Sequence, residues 1–241
     1  MCKDKQLKCK MCKGNIFAIF THFNAYFYEI HGIILLESSD YMVLYLISNN
    51  LVLDNIKYES FENVEEKRVS RPLSIEGEKA AVKLIKKIDA DVIYSSNYSS
   101  ALATAKYFSS YKNLTININS FLNDSKIGKL ENRNIKMLRF MQERNYDFKF
   151  KDGESINETQ NRMELVINKI IKNNYNKNVV VFTHKRAILC YLTKYLNSGY
   201  NLDDRLILTF NDNVIIDDLE NDVDIIKLDI IKGKIKNVVT L

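Results

Sequence analysis

The chain has 241 residues and a mass of 28.1 kDa, with 27% charged and 46% hydrophobic residues. That is enough to bury one sizeable α/β core, and too apolar for a disordered chain. Its formal charge of +5 comes from 35 Lys and Arg against 30 Asp and Glu, with no long basic run, which argues against a nucleic-acid partner, because a phosphate-tracking surface needs its cations clustered.

The chain opens Lys-rich and runs into "NIFAIFTHFNAYFYEIHGIILL", the outline of a charged region leading into an apolar one. His22, Asn24, Glu29 and His31 interrupt it, and no unbroken apolar run approaches ~18 residues, so no membrane span or membrane partner is expected. Cys9 and Cys12 form a CxxC, but a structural zinc site needs further ligands, and His22 and His31 stand at spacings unlike the finger patterns. No metal and no other cofactor is expected. With Cys2 and Cys190 there are four cysteines, which do not make a disulfide framework in a chain of this size and point to a reducing cytoplasm. Two readings of residues 1–41 stay open: an accessory hairpin or helix, or a stretch ahead of a native start at Met42. The domain itself is placed at residues 42–241.

From Met42 the elements alternate. An apolar strand over 43–48 ends on Ser48 and Asn49 and is followed by a loop, "ENVEEKRVSRPLS". A helix "IEGEKAAVKLIKKI" follows, with Ser74 as N-cap and Ala81, Leu84, Ile85 and Ile88 at helical spacing. "ADVIYSS" reads as a short strand, "SALATAKYFSS" as a helix and "LTINI" as a strand with alternating faces. Ser155 and Glu158 form a capping box opening a helix whose Met163, Val166, Ile167, Ile170 and Ile171 make one apolar stripe. "NVVVFT" is apolar throughout, as the centre of a parallel sheet requires. "KRAILCYLTKYL" reads as a helix, and the chain closes on a hairpin turning at Lys232 and Gly233.

Strands alternating with helices predict a doubly wound, mostly parallel sheet flanked by helices, with its ligand crevice at the carboxyl ends of the strands. Three such ends stand out: Ser48-Asn49, Ser95-Ser96 running on to Ser100, and Thr183-His184.

Taken in order, "RPLSIEG", "DVIYSSNYSSALATA", "DGESINETQNR" and "VVVFTHKRAI" resemble the motifs of the histidine phosphatase superfamily, the phosphoglycerate mutase-like proteins. The resemblance implies a phosphoglycerate mutase-like α/β fold. In that family an Arg-His pair ends the first strand and its histidine attacks phosphorus. A second arginine and a second histidine hold the phosphoryl oxygens, and a carboxylic acid protonates the leaving group.

Carried over by position, the Arg-His pair falls on Ser48 and Asn49, and the second arginine on Ser100. The acid falls on Asp124, with Glu131 as the alternative, and His184 alone is unchanged. Arg71 and Arg162 match arginines of structural kind.

An Asn amide nitrogen has its lone pair delocalised into the carbonyl, so Asn49 cannot replace the nucleophile. Each lost arginine removes charge-assisted hydrogen bonds of ~1.5–3 kcal/mol, so two losses weaken dianion binding by about two to four orders of magnitude. The expectation is a histidine phosphatase-like protein without phosphatase chemistry, with a binding or regulatory role. It would hold a phosphorylated small molecule or other anion weakly, through Ser48, Ser100 and His184 with Lys185 and Arg186. The competing reading is a working phosphoesterase that uses His184 as nucleophile or base and Lys185 or Arg186 as phosphate anchor.

Overall fold

The structure is a computed structural model that describes residues 41–49, 51–53, 64–217 and 223–241. The CxxC and the two readings of the N-terminal stretch fall outside the described residues, apart from Tyr41.

In chain order the elements are β1 (Tyr41–Asn49), α1 (Val64–Ser70), α2 (Ile75–Ile85), β2 (Val92–Ser95), α3 (Ser99–Lys112), β3 (Ile116–Ile118) and a 3-10 turn (Ser120–Leu122). Then follow α4 (Ile135–Arg144), α5 (Ile156–Asn173), β4 (Asn178–Thr183) and α6 (Lys185–Leu192). The chain finishes in β5 (Asn197–Tyr200), β6 (Leu206–Phe210), β7 (Asn213–Asp217), β8 (Val223–Ile231) and β9 (Lys234–Thr240).

Several elements depart from their sequence expectation. The loop "ENVEEKRVSRPLS" contains helix α1, held by an i,i+3 ion pair of Glu65 with Arg68 at 3.2 Å. The helix expected over 75–88 ends at Ile85, and Ile88 is buried beyond it. α6 stops at Leu192, and "LTINI" is a strand only from Ile116.

One six-stranded sheet has the order β3-β2-β4-β1-β8-β9, and β5-β6-β7 form a second, antiparallel sheet. Neighbours from β3 to β1 are parallel, while β8 lies antiparallel to β1 along its whole length, from Tyr41 opposite Ile231 to Asn49 opposite Val223. This second partner extends β1 beyond the expected 43–48 at both ends. The C-terminal hairpin forms as expected, with Lys232 and Gly233 at φ 51° and 71°, the left-handed pair that a two-residue turn between twisted strands requires.

The period of two in β4 divides the core. Val179 and Val181 join Met42, Leu44 and Leu46 of β1 under α5, α6 and the second sheet. Val180 and Phe182 join Ile47, Leu84, Ala105 and Phe108 on the opposite face. Both faces of β4 are thus covered, which is why its sequence is apolar throughout; each such side chain contributes about 1.5–3 kcal/mol on burial. The expected stripe of α5 is buried, and its capping box is formed, Ser155 Oγ accepting from Glu158 N (3.1 Å) while Ser155 N donates to Glu158 Oε2 (3.0 Å). Among the described residues no helix is long and apolar enough to cross a membrane.

Candidate functional site

β1 and β4 end side by side, Ser48 opposite Thr183, with Asp224 of β8 on the other flank of Ser48. Ser48 is fully buried and donates through Oγ to Asp224 Oδ2 (3.1 Å). Asn49 is buried and uses its whole amide. Nδ2 donates to the Gly77 carbonyl (3.0 Å) and to Thr104 Oγ1 (3.2 Å), and Oδ1 accepts from Leu51 N (3.2 Å). Asn49 therefore ties the end of β1 to the first turn of α2 and to the middle of α3. The glycine of "RPLSIEG" makes this possible, because a Cβ on Gly77 would meet the Leu51 carbonyl oxygen at 2.1 Å.

The β2 end lies across β4. Ser96 N donates to the Phe182 carbonyl (2.9 Å), which seats the Ser96 hydroxyl 2.8 Å from His184 Nε2. Tyr98 N also donates to that hydroxyl (3.3 Å), and the Tyr98 ring stands 4.8 Å from the imidazole, tilted by 56°. Burial pushes the His184 pKa down from 6.5 to about 4; Asp124 pulls the other way, and Arg68 and Arg162 reinforce the fall. The ring is therefore neutral near pH 7. Ser100, in the first turn of α3, is buried, and its carbonyl accepts from Thr104 Oγ1 (2.9 Å).

Asp124 stands close enough to act on the His184 charge, and it forms an ion pair with Arg68 of α1. Burial alone would raise the Asp124 carboxyl; Arg68, then His184 and Arg139, outweigh it and hold the carboxyl below the usual carboxylate range. Arg68 also donates to the Ser125 carbonyl (3.0 Å). The structure brings Asp124, and not Glu131, towards His184: Glu131 pairs with Arg133 (2.7 Å) with its side chain half exposed. Arg162 plays the structural part expected of it. It grips Glu154 with two nitrogens (2.8 and 2.9 Å) and donates to the carbonyls of Phe121 (2.6 Å) and Asn123 (3.1 Å), fixing the segment that carries Asp124.

The histidine phosphatase superfamily (branch 1) profile matches residues 59–223. The chain belongs to the histidine phosphatase superfamily. The six-stranded sheet, its flanking helices and the hairpin are the phosphoglycerate mutase-like fold. A phosphoglycerate mutase from Bacillus anthracis superposes with a TM-score of 0.57 at 16% identity, over 85% of this chain and 94% of the other. A mycobacterial glucosyl-3-phosphoglycerate phosphatase gives 0.57 at 13% identity, over 78% and 90%. A structure named mycobacterial hydrolase 2 gives 0.59 at 13%, over 84% and 89%. At these identities the likeness concerns the fold alone. No curated protein matches by sequence.

In this member of the superfamily the two cations after His184 diverge. Lys185 is buried and lies 3.4 Å from Asp217 and 3.6 Å from Asp224, on the β7 and β8 side. Arg186, also buried, turns to α4, where Nη2 donates to Gln142 Oε1 (3.2 Å). Two further arginines stand near the site that no family motif marks. Arg68 sits on the helix read as loop, and Arg139 on α4, whose buried Leu138 and Gln142 are four residues apart. The i,i+3 spacing of Glu65 and Arg68 and the amphipathic spacing of "IKMLRFMQER" were the available signals.

Proposed function

We propose that this chain is a histidine phosphatase-like protein without phosphatase or mutase turnover, kept for a binding or regulatory role in the cytoplasm. The observation that carries this reading is Asn49. At the end of β1 stands an amide with no nucleophilic lone pair, and both its donors and its acceptor are engaged in holding α2 and α3. The neighbouring charges support it. Ser48 brings no positive charge, and Lys185 is set against two carboxylates. A phosphoryl dianion at the strand ends would meet hydroxyls and a neutral imidazole, so a phosphorylated small molecule would be held there only weakly.

The competing reading, an active phosphoesterase using His184 with Lys185 or Arg186, has in its favour a buried neutral histidine with a carboxyl in its field. Against it, Nε2 is already engaged by Ser96, and Lys185 and Arg186 turn to different partners.

Hydrolysis of a generic aryl phosphate decides between the two. The wild type is expected to show no turnover above blank. Ser48→Arg, Asn49→His and Ser100→Arg together should restore weak activity that disappears with His184→Ala, and no one of the three should suffice, because nucleophile and cradle act as a unit. Wild-type turnover that survives repurification and is abolished by His184→Ala overturns the proposal.

A further inference from the structure

Helix α1 is docked on the segment that carries Asp124 by charge and hydrogen bonds, and none of its residues from 65 to 70 is buried. Arg68 pairs with the Asp124 carboxylate and donates to the Ser125 carbonyl (3.0 Å), while Glu65 accepts from Ile127 N (2.5 Å) and meets Arg68 at 3.2 Å. We infer that α1 is a lid over the His184 side of the strand-end site, held shut by this clasp of Glu65 and Arg68.

The two sides of the clasp are fixed unequally. Beneath it, the segment is tied to the core: Arg162 binds the carbonyls of Phe121 and Asn123, and Thr159 Oγ1 donates to Ser125 Oγ (2.9 Å). Lys126 N donates to Glu154 Oε2 (3.0 Å), and Glu154 N donates to the Lys126 carbonyl (2.9 Å). Above it, α1 has seven residues, short of the roughly 12–15 that a helix needs to stand alone in water. Residues 65–70 lack the apolar burial that fixes the other five helices. Just after α1 the chain is pinned, because Leu53 N donates to the Pro72 carbonyl (3.1 Å), Ser74 N donates to the Leu51 carbonyl (2.8 Å) and Val52 bridges Leu73. Breaking the clasp therefore releases α1 about a fixed point ahead of Pro72, while the segment beneath stays in place.

What the lid covers is the polar end of the site. α1 packs against α3, whose N-cap residue Tyr98 holds its ring 4.8 Å from the His184 imidazole. Tyr98 and His184 are both buried, and Arg68 is close enough for its charge to bear on each. Asp124, the carboxylate in the field of His184, keeps 15% of its side chain exposed beside Arg68 at 12%. A ligand bound for this end has first to open α1, so its apparent affinity falls by the fraction of chains that are open.

The lid rests on the strand ends being the binding site proposed above, but its test uses no ligand, so the two can fail separately. The test is hydrogen exchange of the full chain read by mass spectrometry, alongside carbethoxylation of His184 by diethylpyrocarbonate near pH 7, where the neutral imidazole reacts once it is reached. Peptide mapping separates His184 from His22 and His31. Arg68→Met should speed both exchange over residues 64–73 and labelling of His184 by on the order of tenfold, with exchange in β4 unchanged. Arg68→Lys, which keeps the charge without the planar fork, should fall between Met and wild type. Glu65→Gln should act in the same direction by less, and it carries the test if Arg68→Met does not fold. The proposal is overturned if His184 of the wild type labels as fast as free imidazole, or if α1 exchange rises in the variants while His184 labelling does not, which would leave α1 covering nothing. It is equally overturned if neither rate changes, or if β4 exchange rises in step with α1 in every variant, since α1 would then open only with the whole fold.

Discussion

Two sides of the first turn of α6 differ in how their polar groups are satisfied. On the strand-end side, Ser48 donates to Asp224, Lys185 stands against Asp217 and Asp224, and Asn49 is bonded to Gly77, Thr104 and Leu51. On the α4 side, Arg68, Arg139 and Arg186 face a shared space with no acid in its described lining. The first side is closed by pairings at the strand ends, and on the second Arg68 is held by Glu65 and Asp124 and Arg186 by Gln142. The contrast teaches that losing a catalytic pair does not leave a hole: the polar groups that remain are drawn into the fold, and positive charge persists where the family motifs do not look for it.

The comparison can be broken first at Asn49. Asn49→Leu removes two donated hydrogen bonds to buried Gly77 and Thr104 and one accepted from half-buried Leu51, and should cost about 4 kcal/mol in urea unfolding, at ~1–3 kcal/mol for each polar group left unsatisfied. A cost below ~1 kcal/mol would show that the strand ends are not held by this amide.

Acid titration of stability comes next. The folded His184 pKa is depressed from 6.5 to about 4, so as pH falls the unfolded chain takes up the proton first. Stability is therefore complete above pH 6.5, declines as pH drops towards 4, and is not lowered further by this group below that. The loss amounts to about 3 kcal/mol, and His184→Gln should flatten that window. Asp124, held below the usual carboxylate range, adds its own loss at lower pH.

A somewhat smaller effect is expected from Lys185→Met, which leaves Asp217 and Asp224 without this cation. A cost of about 2–3 kcal/mol is expected in denaturant unfolding. Coupling to Asp217→Asn in a double-mutant cycle would identify the charge as the cause. The smallest effect sharpens the contrast from the other side: Lys126→Gln, at an exposed position, should change stability by no more than ~0.5 kcal/mol in denaturant unfolding.

Much of this was legible in the sequence, and the reasons are local. The apolar run of β4, the Ser155–Glu158 box and the stripe of α5 each follow from a period or a cap that depends on few residues, and they form as expected. The Ser48-Asn49 and Thr183-His184 ends meet because parallel neighbours in a doubly wound sheet end together. What stayed hidden depended on distant partners. The helix α1 has seven residues and no apolar stripe, so its pattern carries only the weak signal of the Glu65–Arg68 spacing. The sheet β5-β6-β7 has a local signal of its own, since Asn211 and Asp212 turn between two apolar runs at φ 47° and 63°. That Lys185 turns towards Asp217 and Asp224 while Arg186 turns towards Gln142 is set by residues far along the chain, and no short motif encodes it.

The antiparallel pairing of β8 with β1 has a consequence for synthesis. Ser48 and its partner Asp224 are 176 residues apart, so the ribosome must make nearly the whole domain before the outer edge of β1 is covered. Until then a strand of Val, Leu and Ile shows an unpaired backbone edge to every other chain in the cell. Pairings of such long sequence separation form late and slowly, and unpaired strand edges on nascent chains are where misassembly begins. The last strands to emerge therefore act as the closing step for the first, and chains arrested short of β8 are the ones that chaperones and proteases should meet most often.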